Sequence, residues 1–192
     1  MLIAECESLL RGELGVTAVV PPGGSPLGTL AGTVKGMAQA YADDGAAFAR
    51  NGDAVNALAA YYYGFGWLHF GTAYGLLARA GGTPACPFAG QAETIPGALA
   101  DRLDEKAARY LRLLGLACAS VARAPDKETA AGAFADRVLL IGTCYAREGK
   151  RLLDAGKKEN ALACFSYGHG WIDAGVRAGL FAVTANREIF TI

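Results

Sequence analysis

The chain has 192 residues, of which 53% are hydrophobic and 19% charged, and its formal net charge at pH 7 is zero. This composition is typical of a well-buried globular chain, excludes a disordered one and provides no overall positive field for nucleic acid or anionic lipid. The charges are unevenly placed, with 5 basic and 9 acidic side chains in 1–104 against 13 and 9 in 105–192. Either the −4 and +4 halves attract each other, or the asymmetry only reflects solvated faces.

Hydrophobic residues recur at helical spacing along most of the sequence, and no stretch alternates in the manner of a β-strand. Pro and Gly clusters, together with capping residues such as Asp53, divide the pattern into segments. The sequence therefore predicts an all-α fold with six helices, over 2–13, 27–50, 53–79, 97–123, 126–154 and 157–180. Asp53 and Asp126 are the predicted N-caps of the third and fifth helices.

The helices fall into two groups of three. The predicted organisation is a first helical repeat at 1–82, a Pro/Gly linker at 83–96, a second repeat at 97–183 and a tail at 184–192. The tail has no clear pattern, and it could pack as an extended segment or stay loose. We expect the two repeats to form one compact six-helix bundle.

The two groups are copies of one unit. Residues 41–77 and 145–181 align without a gap at a constant spacing of 104, with 15 identities in 37 positions, both tryptophans included. This is an internal duplication. The shared residues that we expect to build the core of each repeat are Asn56, Tyr63, Trp67, Asn160, Tyr167 and Trp171.

Glycine and small residues form a stripe on the third helix, and its copy lies on the sixth. The stripes are Ala57, Tyr61, Gly64, Leu68, Gly71 and Gly75, and Ala161, Phe165, Gly168, Ile172, Gly175 and Gly179. Gly inside a helix costs about 0.5–1 kcal/mol relative to Ala, so its repetition predicts close packing of another helix. A single-copy relative could self-associate through this face, and the fused chain would then be a monomeric pseudo-dimer or a weak homodimer.

The second copy carries a more specific pattern. Its N-A-L-A run and its Y-x-H-G-W-x-D-A-G motif comprise Asn160, Ala161, Leu162, Ala163, Tyr167, His169, Gly170, Trp171, Asp173, Ala174 and Gly175. This stretch resembles the C-terminal signature of an archaeal family, domain of unknown function 357. The resemblance covers 99–183 well and 2–78 as a diverged copy, where Phe65 and His69 replace the His and the Asp. It implies a small, all-helical archaeal protein without an established activity.

One polar face in the second copy could bind a ligand or partner. Tyr167, His169, Asp173 and Arg177 are the candidates, and Ser166 completes the polar face. A His with a carboxylate four residues on could act in acid–base chemistry, but a polar ladder without function is the alternative. The aligned face of the first copy is nearly apolar. We therefore expect 62–73 to be internal and 166–177 to be at least partly exposed.

Other chemical signatures are missing from the sequence. It has no phosphate-binding Gly loop, no nucleophile turn and no paired Cys/His cluster, so we predict no catalytic residue, no metal and no cofactor. Five cysteines without a C-x-x-C pair favour small core residues in a reducing compartment. The apolar stretch 54–78 is long enough to cross a bilayer, but charges in its copy at 158–182 argue against a membrane span.

These features favour a cytoplasmic, non-enzymatic helical module that binds another protein. Two alternatives remain open. One is a small-ligand-binding or catalytic protein that uses the face with His169 and Asp173. The other is an RNA-associated protein that uses a basic cluster at 147–158, although interleaved acidic residues make nucleic acid an unfavourable partner.

Overall fold

A computed structural model describes residues 3–82, 86–88 and 94–191. Its helices are α1 (Ile3–Gly15), α2 (Pro26–Arg50), α3 (Ala54–Ala73), α4 (Ala100–Ala119), α5 (Ala130–Asp154) and α6 (Lys158–Arg177). Four short strands accompany them: β1 (Thr17–Val19), β2 (Leu77–Arg79), β3 (Val121–Arg123) and β4 (Phe181–Val183). The all-α fold with six helices is confirmed. Parts of the predicted linker (83–85 and 89–93) and residues 1, 2 and 192 lie outside the described residues.

Helix starts follow the capping chemistry, with one correction. The Asp53 carboxylate accepts a hydrogen bond from the backbone N–H of Asn56, as predicted for an N-cap. The predicted cap Asp126 instead forms a turn with Glu128. Thr129 caps α5 by accepting from the N–H of Gly132. The aligned α2 cap, Ser25, uses the same geometry.

Helices α3, α4 and α6 end several residues earlier than predicted. Gly75 and Gly179 follow the ends of α3 and α6 with φ of +79° and +73°, a left-handed conformation that stops a helix. The chain then enters β2 and β4, which pair antiparallel with β1 and β3. Three-residue strands are too short to display an alternating pattern, and for this reason the sequence did not reveal them.

Helices α3 and α6 form the centre of the bundle. Nearly every residue of 55–71 and of 161–176 is buried. The predicted stripe does meet another helix closely, since a Cβ added at Gly64 would lie 3.2 Å from the carbonyl oxygen of Ala38 in α2. That partner belongs to the same copy. The contact between copies uses two different glycines, so the hypothesis that the stripe joins the copies is wrong.

The contact between copies is a backbone-to-backbone crossing of α3 and α6. A Cβ added at Gly66 would lie 2.6 Å from the carbonyl oxygen of Tyr167, and one at Gly170 would lie 2.5 Å from that of Tyr63. The ion pair between Arg102 and Asp53, 2.6 Å apart, also joins the copies. Most other ion pairs lie within one copy. Apolar packing and this crossing, more than the charge asymmetry, hold the halves together.

Cysteine placement only partly matches the expectation of core residues. All five thiols are free, and Cys6 and Cys164 are buried, but Cys86 and Cys144 are exposed. Cys144 lies on the outer side of α5, which its apolar neighbours in sequence did not indicate. In the described part of the chain, no helix has the length and hydropathy needed to span a bilayer.

Candidate functional site

Two hydrogen bonds bridge the copies beside the glycine crossing. The Tyr63 hydroxyl donates to Oδ2 of Asp173 at 2.8 Å, and the Tyr167 hydroxyl lies 2.9 Å from Nδ1 of His69. Tyr63 aligns with Tyr167, and His69 aligns with Asp173, at the spacing of 104. The two contacts are therefore counterparts, as an approximate two-fold relation between the copies requires.

The predicted polar face lies inside the protein for most of its length. Tyr167, His169 and Asp173 are buried, with His169 only 4% and Asp173 0% exposed, while Arg177 reaches solvent. The expectation that 166–177 would be partly exposed is therefore wrong at these positions. Burial of Phe65 in the first copy agrees with an internal 62–73, although Thr72 and Ala73 at its end are exposed. The covering residues come from α3 and from the C-terminal segment.

The C-terminal segment closes over Asp173. The backbone N–H of Thr191 donates to Oδ1 of Asp173 at 2.9 Å, and the Thr191 hydroxyl donates to Oδ2. Burial raises the pKa of Asp173 to about 6, although the hydrogen bonds from Tyr63 and Thr191 act in the opposite direction. The tail is thus a packed segment that satisfies a buried carboxyl group.

His169 lies one turn before Asp173 on α6, with its ring edge-on to that of Tyr63 at a centroid distance of 5.3 Å. Burial lowers its pKa to about 4, so the imidazole is neutral at pH 7. A hydrogen bond with the backbone of Ile189 partly offsets this shift. Nε2 is buried and has no hydrogen-bond partner among the described residues.

A second polar site, which the sequence did not indicate, lies mainly in the first copy, with Trp171 of the second copy in its wall. A cleft of about 300 Å³ contains the ion pair of Arg79 with Glu13, at 2.8 Å, and the imidazole of His69. Burial lowers the pKa of His69. The polar residues of this cleft, Glu13, Thr17, Thr72 and Arg79, align with Ala117, Val121, Val176 and Val183. Comparing the copies at these positions would have revealed the site.

Each copy also has a groove between its second and third helices, which are α2 and α3 in the first copy and α5 and α6 in the second. The first groove is lined by Tyr41, Asp44, Phe48, Asn56 and Ala60, and the second groove by the aligned Tyr145, Glu148, Leu152, Asn160 and Cys164. In the first groove, Lys106 and Tyr110 of α4 occupy part of the space, and a volume of about 230 Å³ remains open. The second groove, where Phe88 packs on Tyr145 at 5.2 Å, leaves about 480 Å³.

Residues with metal-binding side chains do not converge. Within 3–82, 86–88 and 94–191, no group of three or more His, Cys, Asp or Glu side chains could hold a metal ion. Neither His169 nor His69 is close to enough such groups. The predicted absence of a metal site stays a prediction for the whole chain.

Comparison with known proteins adds a family to this geometry. No curated protein and no solved structure matches the chain. A family described as "Protein of unknown function (DUF357)" matches twice, over residues 7–77 and 109–181. These segments cover both helical copies and most of the chain, in agreement with the duplication. The chain belongs to the DUF357 family, as a tandem pair of its domain.

Proposed function

We propose that this protein is a non-enzymatic interaction module that binds an amphipathic helix of a partner protein in the second groove. The observation that carries the proposal is the occupancy of the aligned first groove. There, one face of α4 presents Arg102, Lys106 and Tyr110 at steps of four, and Arg102 pairs with Asp53. The molecule thus already contains a helix bound to one of two related grooves.

The second groove offers the same kind of surface with more space. Leu152 supplies the apolar side chain that Phe48 supplies in the first groove, and Glu148 replaces Asp44. Grooves of this kind bind helices through apolar anchors spaced at three or four residues. A helix that lies along α5 and α6 would cover Leu152 and the half-buried ring of Tyr145.

One charged position at the edge of the groove differs between the copies and predicts the charge of the partner helix. Lys157 stands where the first groove has Asp53, the residue that binds Arg102. The partner helix should therefore carry an acidic residue at this position. An apolar or aromatic side chain should follow on the same face of the partner helix, toward Leu152.

The RNA alternative has weaker support. Within the basic cluster, Lys150 pairs with Asp154 at 2.6 Å, and Arg151 pairs with Glu148 at 2.6 Å. Lys158 contacts Asp104 of α4. Cations already matched by carboxylates contribute little to phosphate binding. We therefore do not propose RNA as the partner.

A peptide of residues 100–114 carrying Arg102→Glu tests the proposal. By calorimetry, we expect this peptide to bind the full chain at least about tenfold more tightly than the unaltered peptide, because Lys157 attracts the new carboxylate. Leu152→Asp should weaken binding by a similar factor. Phe48→Asp, the matched change in the first groove, should leave it unchanged. Failure of both peptides to bind, or equal losses in both variants, would overturn the proposal.

A further inference from the structure

A pocket remains in the first groove beneath α4. It has a volume of about 230 Å³, and α4 contributes Lys106 and Tyr110 to its wall. We propose that Lys106 is a reactive amine in this pocket and forms an imine there with a small, uncharged aromatic aldehyde. The pocket is separate from the second groove, so the inference does not depend on helix binding.

The amino group of Lys106 lies on the pocket side of Tyr110. Its Nζ is 5.1 Å from the centroid of the Tyr110 ring. Tyr110 also lines a separate cavity beneath the C-terminal segment, whereas Lys106 lines the pocket in the first groove and not that cavity. The contact with the ring therefore holds Nζ at the wall of the pocket.

Lys106 is half-buried and forms no ion pair with any carboxylate that the structure describes. Arg102 and Arg109, four residues before and three after it on α4, lie on the same side of the helix. Burial and then the charge of Arg109, with a smaller effect of Arg102, lower the pKa of Lys106, although Asp53 and Glu105 act in the opposite direction. Desolvation and neighbouring cations are the conditions that activate lysines for imine formation.

The remaining wall of the pocket determines which aldehyde fits. The side chains of Tyr41, Phe48 and Tyr63 line it together with two alanines, Ala59 and Ala60. These side chains offer an aromatic ring apolar contacts. Asp44 also lines the pocket and is exposed, so an anionic aldehyde would be repelled. Benzaldehyde is the simplest neutral aldehyde that meets these conditions.

Imine formation needs no further reagent. The neutral amine of Lys106 adds through its lone pair to the carbonyl carbon, and one amine proton moves to the carbonyl oxygen. The resulting hydroxyl group then leaves as water with the second amine proton while the C=N bond forms. One C=O bond is replaced by one C=N bond, water is the by-product, and nothing is oxidised or reduced.

Two aldehydes separate the reactivity of the amine from binding in the pocket. Formaldehyde has no apolar body, whereas benzaldehyde has one. Each is added to the full chain at pH 7, the imines are trapped with cyanoborohydride, and the modified lysines are located by peptide mass spectrometry. Lys157 is the internal reference, because it is exposed and likewise has no ion pair among the described residues. Lys106 should react faster than Lys157 with formaldehyde, and at least about tenfold faster with benzaldehyde.

A competitor and a pair of variants complete the test. Benzyl alcohol has the same ring without the carbonyl group and should slow only the reaction of Lys106 with benzaldehyde. Arg109→Gln should slow the reaction of Lys106 with both aldehydes by about two- to fivefold at low salt, as expected for one exposed charge. Arg112→Gln is the matched control, because Arg112 is also exposed and lies one turn further along α4, and it should leave the rates unchanged.

Three results would overturn the proposal. Lys106 could react no faster than Lys157, which would show an ordinary surface amine. Benzyl alcohol could fail to protect Lys106, which would show that the pocket does not bind the aldehyde. Arg109→Gln and Arg112→Gln could have equal effects, which would remove the neighbouring cation as a cause of the reactivity.

Discussion

The glycine crossing of α3 and α6 makes Gly66→Ala a sharp test of how the two copies pack. The new Cβ would lie 2.6 Å from the carbonyl oxygen of Tyr167 and 3.0 Å from Cα of Gly170. Both atoms belong to the backbone of a buried helix, so no side-chain rotation can relieve the overlap. The two central helices would have to move apart.

The magnitude follows from two opposing effects. Overpacking of a core costs about 1–3 kcal/mol, and a backbone overlap falls at the upper end. Replacing Gly by Ala in a helix returns about 0.5–1 kcal/mol through helix propensity. The expected net loss is about 2 kcal/mol of unfolding free energy. For a chain of this length, this corresponds to a fall in Tm of about 4–8 °C.

Gly115→Ala provides the matched control. Gly115 lies within α4, and a Cβ there would meet nothing within 4 Å. This variant should gain about 0.5–1 kcal/mol, so the two Gly→Ala changes should have opposite signs. Urea unfolding followed by circular dichroism measures both. A Gly66→Ala variant as stable as Gly115→Ala would refute the close crossing.

Further predictions concern the buried polar groups and the thiols. Because the pKa of Asp173 is raised, its contribution to the free energy of unfolding should fall as pH rises from about 4 to about 6. Because the pKa of His169 is lowered, its contribution should increase between about pH 4 and 6.5. Each effect is roughly 3 kcal/mol at most, so the two should nearly cancel in the wild-type protein between about pH 4 and 6. Urea unfolding of Asp173→Asn should then show stability increasing with pH, and His169→Phe should show the reverse. Thr191→Pro removes the N–H that Asp173 accepts from and should raise the pKa of Asp173 above about 6 in an NMR titration. Tyr63→Phe should cost about 1–3 kcal/mol by thermal unfolding, because Asp173 loses a buried donor. Burial raises the pKa of Cys164 to about 12, so a disulfide exchange reagent should modify Cys86 and Cys144 in the folded protein and the buried Cys164 and Cys6 only after unfolding.

Much of the architecture could be predicted from the sequence because it depends on local patterns. The spacing of 104, the helical periodicity and the cap at Asp53 gave six helices in two copies. The glycine stripe indicated a close helix contact, but not which helix makes it. Gly66 and Gly170 are shared by both copies like the stripe glycines, so sequence alone could not assign one set to α2 and the other to the crossing.

The candidate site was harder to predict because its partners are distant in sequence. His169 and Asp173 follow the spacing of an exposed polar ladder. They are buried because Tyr63, 110 residues away from Asp173, and Thr191 cover them. The difference in open volume between the two grooves likewise depends on the position of α4, which packs on the first groove. What the sequence could have provided was the comparison of Glu13 and Arg79 with Ala117 and Val183, which marks the cleft in the first copy.

The central claim is that the second groove can bind a partner helix. It is tested most directly by adding the Arg102→Glu peptide to the full chain and following the backbone amide chemical shifts of the chain. The amide signals of 144–164 in α5 and α6 should shift and saturate. The aligned signals of 40–60 in α2 and α3 should stay in place, because α4 already fills the first groove. Equal shifts in both grooves, or none in the second groove, would contradict the account.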